Sequence, residues 1–227
     1  MVQAASASLA RPLTTPSRLQ GPREGVVIVF TPALELLMEA FLISTGVVAL
    51  AEIGDKTQLL ALVLAARYRK PVPIVLGILI ATLLNHALAG TLGAVVARLV
   101  DPHAMRWVLG ISFIAMAVWM LMPDRYDERL ARPPRFGVFL TTLFAFFLLE
   151  MGDKTQVATV ALAAKYTQLV AVVAGTTFGM MLANVPAVLL GEVAATKLPL
   201  RVVHAVCAAV FAVIGIVVLL GALPKLA

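Results

Sequence analysis

Long apolar runs, separated by short polar segments, follow one another from about residue 40 to the end of the chain. A helix that crosses a bilayer needs about 20 consecutive, mostly apolar residues. Six runs approach or exceed that length, and they cover residues 40–66, 72–97, 105–122, 136–164, 169–194 and 202–220. The pattern therefore predicts an all-α membrane protein with six transmembrane helices.

Two segments fall outside this pattern. Residues 124–135 form a charged connector that ends in Pro133 and Pro134. The other is residues 1–37. Residues 1–25 are rich in Ala, Ser, Thr, Pro and Arg, and the apolar run at residues 26–30 is too short for the roughly 7–15 residues of a signal-peptide core. We expect residues 1–37 to be a disordered extension or an over-extended gene start, with Met38 close to the functional start. An organellar transit peptide is the alternative.

The chain contains an internal duplication. An offset of 98 residues places residues 52–58 on residues 150–156, and both segments read Glu-x-Gly-Asp-Lys-Thr-Gln. Residues 52–68 share ten identities in seventeen positions with their counterparts, and the same offset aligns Gly77 with Gly175. Such self-similarity indicates a repeat architecture.

Each copy of the repeat holds three predicted spans. Because three is odd, the second copy enters the membrane from the opposite side, which gives two inverted three-helix repeats, as in many secondary transporters. We expect the first repeat at residues 38–123, a cytoplasmic connector at residues 124–135 and the second repeat at residues 136–227.

Composition and charge narrow the function classes. Of 227 residues, 61% are hydrophobic and only 13% are charged, whereas a soluble domain carries about 25% charged residues. The single cysteine, Cys207, excludes a disulfide framework. The net charge of +6 does not indicate a nucleic-acid partner, because the basic residues lie at the ends of the predicted helices.

Basic residues in the loops also predict the orientation. The loops on the side of the connector carry nine Lys and Arg, against four on the other side, or seven with the N-terminal segment included. Cytoplasmic loops carry an excess of Lys and Arg. We therefore expect a cytoplasmic connector and both termini outside.

Each motif places three ionisable residues deep inside a predicted span. Such residues cost roughly 2.5–3.5 kcal/mol each on insertion scales and mark functional sites. On a continuous helix, Glu52, Asp55 and Lys56 would share one face, since they stand at i, i+3 and i+4. Gly54 and Gly152 would allow close backbone approach or a local break that frees carbonyl groups.

The two motifs together predict one cation site. Four carboxylates and two ammonium groups leave a net charge of −2, which one divalent cation would neutralise. An all-oxygen set suits hard cations such as Mn²⁺, Ca²⁺ and Mg²⁺. The predicted ligands are Glu52, Asp55, Glu150 and Asp153, supported by Lys56, Thr57, Gln58, Lys154, Thr155 and Gln156. The alternative is a purely structural role, in which two buried salt bridges fix the register of the helices.

Five more polar residues are candidates for lining a pathway: Asn85, His86, Asn184, Ser44 and Thr142. The offset of 98 aligns His86 with Asn184 and Ser44 with Thr142. An interhelical hydrogen bond, worth about 0.6 kcal/mol in membranes, is the competing role for such residues. An imidazole ligand from His86 would favour Mn²⁺ over Ca²⁺.

The two Glu-x-Gly-Asp-Lys-Thr segments, each in the first span of a three-helix half, resemble the Gdt-type family of cation transporters, also called the transmembrane protein 165 family and grouped with the cation/calcium exchangers. The resemblance covers the chain from about Met38 to its end. It implies six spans and export of Mn²⁺ or Ca²⁺ in exchange for protons, with Glu52, Asp55, Glu150 and Asp153 as cation-site residues.

From these observations we expect a non-enzymatic transporter of the bacterial inner membrane, with an organellar membrane as the alternative location. Its partners would be the cation, protons and the lipid bilayer, with no cofactor. The acids would bind cation and protons alternately. A passive divalent-cation channel is one functional alternative. An intramembrane aspartyl protease is another, because Asp55 and Asp153 each follow a glycine inside a span.

Overall fold

The fold consists of helices joined by short turns. The structure is a computed structural model that describes residues 32–122, 137–190 and 200–221, and within these ranges it contains eight helices and no strand. The helices are α1 (Pro32–Glu52), α2 (Lys56–Tyr68), α3 (Pro71–Leu99), α4 (Pro102–Met120), α5 (Val138–Glu150), α6 (Lys154–Lys165), α7 (Leu169–Leu190) and α8 (Leu200–Leu219). The connector at residues 124–135 and the first 31 residues lie outside the described ranges.

Four of these helices are long and apolar enough to cross a membrane: α1, α3, α4 and α7. Helix α5 and most of α8 are apolar but shorter. Many large apolar side chains on these helices face outward, as Leu42, Leu88 and Ile111 do. Large exposed apolar surfaces of this kind are typical of contact with lipid. The predicted all-α membrane class is therefore confirmed, while the six-span arrangement stays a prediction.

Helix α1 begins earlier than expected. It starts at Pro32, so residues 32–37, which we assigned to the N-terminal extension, belong to the first helix. Proline is tolerated in the first turn of a helix, where its missing N–H has no intrahelical partner. Glu35 also lies in the first turn, where a negative charge is favourable.

The first predicted span of each half is two helices, not one. Helix α1 ends at Glu52 and α2 begins at Lys56, while α5 ends at Glu150 and α6 begins at Lys154. The prediction that Glu52, Asp55 and Lys56 share one face of a continuous helix is therefore wrong. The chain unwinds at the glycine of each motif, which agrees with the local break expected as one of two roles for Gly54 and Gly152.

In each half, the long helix that follows the broken pair packs against the broken pair of the other half. Helix α3 packs on α5 and α6, while α7 packs on α1 and α2. A Cβ on Gly77 of α3 would lie 2.8 Å from the Thr142 Cβ, and one on Gly175 of α7 would lie 3.1 Å from the Ser44 Cβ. These two contacts join residues at matching positions of the repeat. Small residues at such contacts let helix backbones approach closely.

Helices α4 and α8 form a further pair. The rings of Phe113 and Phe211, which are matching positions of the repeat, stack with centroids 6.2 Å apart. Gly110 and Gly215 face each other across the same contact, where a Cβ on Gly215 would lie 2.9 Å from the Gly110 carbonyl oxygen. The two broken helices, with α3 and α7 beside them, place the polar motifs inside the molecule.

Candidate cation site

Two helix breaks at matching positions form the framework of the site. Gly54 and Gly152 have φ angles of +81° and +75°, a region that side-chain-bearing residues rarely adopt. The glutamine of each motif accepts a hydrogen bond from its glycine N–H, over 2.9 Å from Gly54 to Gln58 and over 2.6 Å from Gly152 to Gln156. The predicted supporting glutamines therefore fasten the breaks, and their amide oxygens are already engaged.

The breaks point the motif aspartates away from their own helices. Asp55 is the N-cap residue of α2 and Asp153 that of α6, yet neither carboxylate makes the usual capping hydrogen bond with a backbone N–H group of its helix. Each aspartate stands at the positive end of a helix dipole, which favours a negative charge there. The carboxylates therefore remain directed toward the interior while the helix ends stabilise them.

Three carboxylates from the two motifs meet in the interior. The ligand oxygens of Glu52, Asp55 and Asp153 all lie within 4.8 Å of one another, and all three residues are buried. Such proximity of like charges is costly unless cations or protons compensate it. Of the four predicted ligands, Glu150 is the one that does not belong to this group.

Crossed ion pairs link the two motifs. The Lys56 ammonium lies 2.7 Å from an oxygen of Asp153, and the Lys154 ammonium lies 3.9 Å from an oxygen of Asp55. Lys154 is buried, whereas 18% of the Lys56 side chain is exposed. Each lysine thus offers its charge to the aspartate of the opposite half.

The second-half glutamate has neutral partners instead. One oxygen of Glu150 accepts a hydrogen bond from the Thr82 hydroxyl over 2.6 Å, and the other accepts one from the Asn85 amide over 2.9 Å. The Asn85 amide also donates to the Phe147 carbonyl oxygen over 3.0 Å. All of these donors come from α3, so Glu150 is attached to the first half of the chain.

The motif threonines bond acids of their own motif. Thr57 donates to one oxygen of Glu52, while the other oxygen of Glu52 is buried without a hydrogen-bond partner. Thr155 donates to Asp153 over 3.4 Å. Two acids and their threonines thus contribute oxygen atoms from both motifs.

Comparison with known proteins relates this arrangement to a transporter family. The model of the divalent cation/proton antiporter family GDT1 matches residues 40–128 and residues 138–225. The chain belongs to this family. The GDT1 match leaves out the first 39 residues, and it confirms the family that the doubled motif predicted. The description of the family is that of a transporter.

Individual GDT1 relatives cover most of the chain. A protein of Vibrio cholerae serotype O1 named "Putative manganese exporter" is 52% identical over 178 residues, which are 78% of this chain and 88% of that protein. GDT1-like protein 3 of Oryza sativa subsp. indica is 29% identical over 201 residues, 77% of this chain and 71% of that protein. GDT1-like protein 5 of Arabidopsis thaliana is 27% identical over 218 residues, 79% of this chain and 95% of that protein. No solved structure matches the chain.

The predicted pathway residues of this GDT1 chain are all buried, in different surroundings. Both ring nitrogens of His86 and the amide oxygen of Asn184 have no hydrogen-bond partner. Ser44 and Thr142 instead pack against Gly175 and Gly77 of the opposite half. Their role in a pathway stays a prediction.

One residue of this site was missed at the sequence level. Thr82 lies one turn before Asn85 on α3, inside an otherwise apolar run. The spacing of three residues puts both side chains on one helix face, which could have indicated a shared partner. Threonine is common in transmembrane helices, however, so the residue type alone carries little information.

Proposed function

We propose that this chain is a secondary transporter that exports a divalent cation, Mn²⁺ foremost, in exchange for protons. The observation that carries the proposal is the group of three buried carboxylates contributed by both motifs, Glu52, Asp55 and Asp153. A buried group of acids that outnumbers its positively charged partners costs free energy in a membrane, and such groups mark sites of binding or transport. Glu150 belongs to the same machinery through the second motif.

The donor atoms favour a hard cation. Carboxylate and hydroxyl oxygens surround the site, and such ligands suit Mn²⁺, Ca²⁺ and Mg²⁺. The name of the Vibrio cholerae relative, at 52% identity, supports Mn²⁺ as the main substrate. Ca²⁺ remains the second substrate to test, because its ligand preferences are nearly the same.

The same acids account for proton exchange. A buried carboxylate left without a cation is stabilised by taking up a proton, because the neutral acid costs far less to bury than its anion. Cation release on one side and proton uptake on the same groups would then be coupled. The antiporter description of the family agrees with this scheme.

We further propose six membrane spans in two inverted halves. Each broken helix pair, α1 with α2 and α5 with α6, would make one span, and binding sites at discontinuous helices near the midplane are common in secondary transporters. The matching contacts of Gly77 and Gly175 with the opposite half support a two-fold relation. Rocking of one half against the other would expose the site alternately.

The protein would reside in the plasma membrane with the connector inside. This location rests on the bacterial relative and on the excess of basic residues on the side of the connector.

Transport in liposomes tests the proposal. The purified protein would be reconstituted, and Mn²⁺ entry and proton movement would be followed with entrapped indicators, with and without a pH gradient. We expect Mn²⁺ flux that is driven by the gradient, and loss of at least about 90% of it in Glu52→Gln and Asp153→Asn, because each removes a cation ligand. Glu35→Gln, which changes an exposed acid outside the motifs, is the matched control and should transport normally.

Two other outcomes would indicate other functions. Mn²⁺ flux that is independent of the pH gradient and is not accompanied by proton movement would indicate a passive channel. Cleavage of membrane peptides without cation flux would indicate a protease. The pairing of Asp55 and Asp153 with lysines does not favour the latter, since activation of water by two aspartates needs no ammonium partner.

A further inference from the structure

The two motif glutamates occupy matching positions of the repeat but have different surroundings. Both oxygens of Glu150 accept hydrogen bonds from α3, through Thr82 and Asn85. Glu52 accepts one from Thr57 of its own motif, and its other oxygen is buried without a hydrogen-bond partner. Glu52 lies in the group of three carboxylates, whereas Glu150 does not.

The difference is encoded in the sequence. The offset of 98 residues aligns Thr82 with Met180 and Asn85 with Ala183, and neither side chain on α7 is an N–H or O–H donor. A mirror-image conformation therefore has no equivalent donors with which α7 could bind Glu52. At the matching place α7 offers the Ala183 carbonyl oxygen, which accepts a hydrogen bond from Gln58 over 3.0 Å.

Proline adds to the difference between α3 and α7. Pro186 lies inside α7, while its counterpart in α3 is Leu88. A proline inside a helix removes the hydrogen bond to the carbonyl four residues earlier and loosens that turn. The carbonyl four residues before Pro186 is that of Leu182, the neighbour of the Ala183 carbonyl that accepts the hydrogen bond from Gln58. At this place α7 therefore accepts a hydrogen bond from the first motif instead of donating one.

These differences have an energetic consequence for the acids. Hydrogen bonds to a charged group are among the stronger ones in proteins, and a buried acceptor that lacks one carries its full desolvation penalty. The unmet oxygen of Glu52 makes a cation beside it especially favourable. Both oxygens of Glu150 already accept hydrogen bonds from neutral donors, so Glu150 would add less to the binding free energy of a cation.

We propose that Thr82 and Asn85 are positioning residues that hold Glu150 on α3, outside the cation site. Cation binding in this conformation then depends on Glu52, Asp55 and Asp153. Glu150 serves the conformational step, because its bonds to α3 join the two halves and must rearrange when the halves move. This inference rests on the proposed function and assigns unequal roles to the two motifs.

Direct binding measurements separate the two glutamates. Mn²⁺ binding to the purified full-length protein in detergent would be followed by the loss of the EPR signal of free Mn²⁺. We expect Glu52→Gln to weaken binding at least about a hundredfold, and Glu150→Gln to stay within about threefold of the wild type while its transport is lost. Equal loss of binding in the two variants would overturn the inference.

The positioning residues have a kinetic signature. In Thr82→Val and Asn85→Leu, a released Glu150 is free to join the cation, so binding becomes tighter and release slower. We expect KM for Mn²⁺ to fall about tenfold, the effect of one hydrogen bond to a charged group, together with a fall in the maximal rate. Thr82→Ser keeps the hydroxyl group and should restore both values.

A buried threonine elsewhere supplies the matched control. Thr176 on α7 donates to the Val173 carbonyl oxygen of its own helix, so Thr176→Val makes the same chemical change without touching an acid. It should leave KM unchanged. If Thr82→Val and Thr176→Val lower the rate alike with KM unchanged, Thr82 has only a structural role and the inference fails.

The failure of this inference differs from failure of the proposed function. No Mn²⁺ flux or binding by the wild-type protein would refute the transporter proposal itself. Wild-type flux that is lost in Glu52→Gln, combined with an unchanged KM in Thr82→Val and Asn85→Leu, would refute only the unequal roles.

Discussion

At the scale of single residues, each motif lysine bonds the aspartate of the other half. The Lys56 ammonium lies 2.7 Å from Asp153, a normal charge-assisted contact, while Lys154 lies 3.9 Å from Asp55, at the outer limit of an ion pair. A divalent cation in the same place would compete with both ammonium groups for the aspartates. We therefore propose that the lysines act as counter-charges that the cation replaces.

This competition predicts the behaviour of Lys56→Gln. Without cation, the variant should be less stable by up to about 3 kcal/mol, which corresponds to a fall in Tm of up to roughly 10 °C, because Asp153 loses its partner in a largely buried site. Saturating Mn²⁺ should raise its Tm by more than it raises that of the wild type, since binding stabilises the folded state according to affinity. Thermal unfolding in detergent, with and without Mn²⁺, measures both effects.

An exposed lysine gives the control for this experiment. Lys70 lies in the turn between α2 and α3, so Lys70→Gln should change neither Tm nor its response to Mn²⁺. Equal Mn²⁺-induced shifts in Lys56→Gln and the wild type would contradict the competition between lysine and cation.

At the scale of secondary-structure elements, the helix breaks decide where the acids point. A continuous helix would have kept each motif on one side of one cylinder. The break turns each aspartate into an N-cap whose carboxylate makes no capping hydrogen bond, so that it is available to the opposite motif. The break requires positive φ angles at Gly54 and Gly152, which glycine adopts without steric strain.

Gly152→Ala tests the break. A Cβ at this position would meet nothing within 4 Å, so its cost comes from the backbone conformation alone, about 1–2 kcal/mol for an L-residue at positive φ. We expect a lower Tm and a transport rate reduced by tenfold or more, because the strained turn shifts Asp153. Gly46→Ala, at an equally open position inside α1, should instead keep or slightly raise Tm.

The pair of variants separates two explanations. If Gly46→Ala impairs transport as strongly as Gly152→Ala, added bulk in the membrane rather than loss of the break is responsible.

At the scale of the whole molecule, the proposed orientation follows from the loops between the helices. His103 lies exposed near the turn from α3 to α4, and Lys70 lies exposed in the turn from α2 to α3. With the connector inside, His103 faces outward and Lys70 faces the cytoplasm. Cys207 is buried and its thiol bonds the Leu50 carbonyl oxygen over 2.9 Å, so it does not interfere with cysteine labelling.

Cysteine labelling of spheroplasts checks this orientation. A membrane-impermeant maleimide should label His103→Cys in intact spheroplasts, whereas Lys70→Cys should react only after permeabilisation. The wild-type protein serves as the unlabelled control. The opposite pattern would place the termini inside and reverse the direction of transport that we propose.

The sequence by itself determined the membrane class, the doubled acidic motif and the family. These features are local, because an apolar run or a motif consists of consecutive residues whose cost or benefit in lipid does not depend on the rest of the fold. The matching positions of the repeat, such as Phe113 and Phe211, are likewise evident from the order of the residues alone. Gly54 and Gly152 indicated a break without proving it.

Only the tertiary structure decided which acids meet and which are kept apart. The bonds of Asn85 and Thr82 to Glu150 join residues 65 and 68 positions apart, and the bond of Gln58 to α7 spans 125 positions. Such contacts depend on how helices from the two halves pack, through side chains that look ordinary in an apolar run. Helix packing thus separates two glutamates that the repeat makes equivalent in sequence, because α3 carries the donors Thr82 and Asn85 where the matching positions of α7 are Met180 and Ala183.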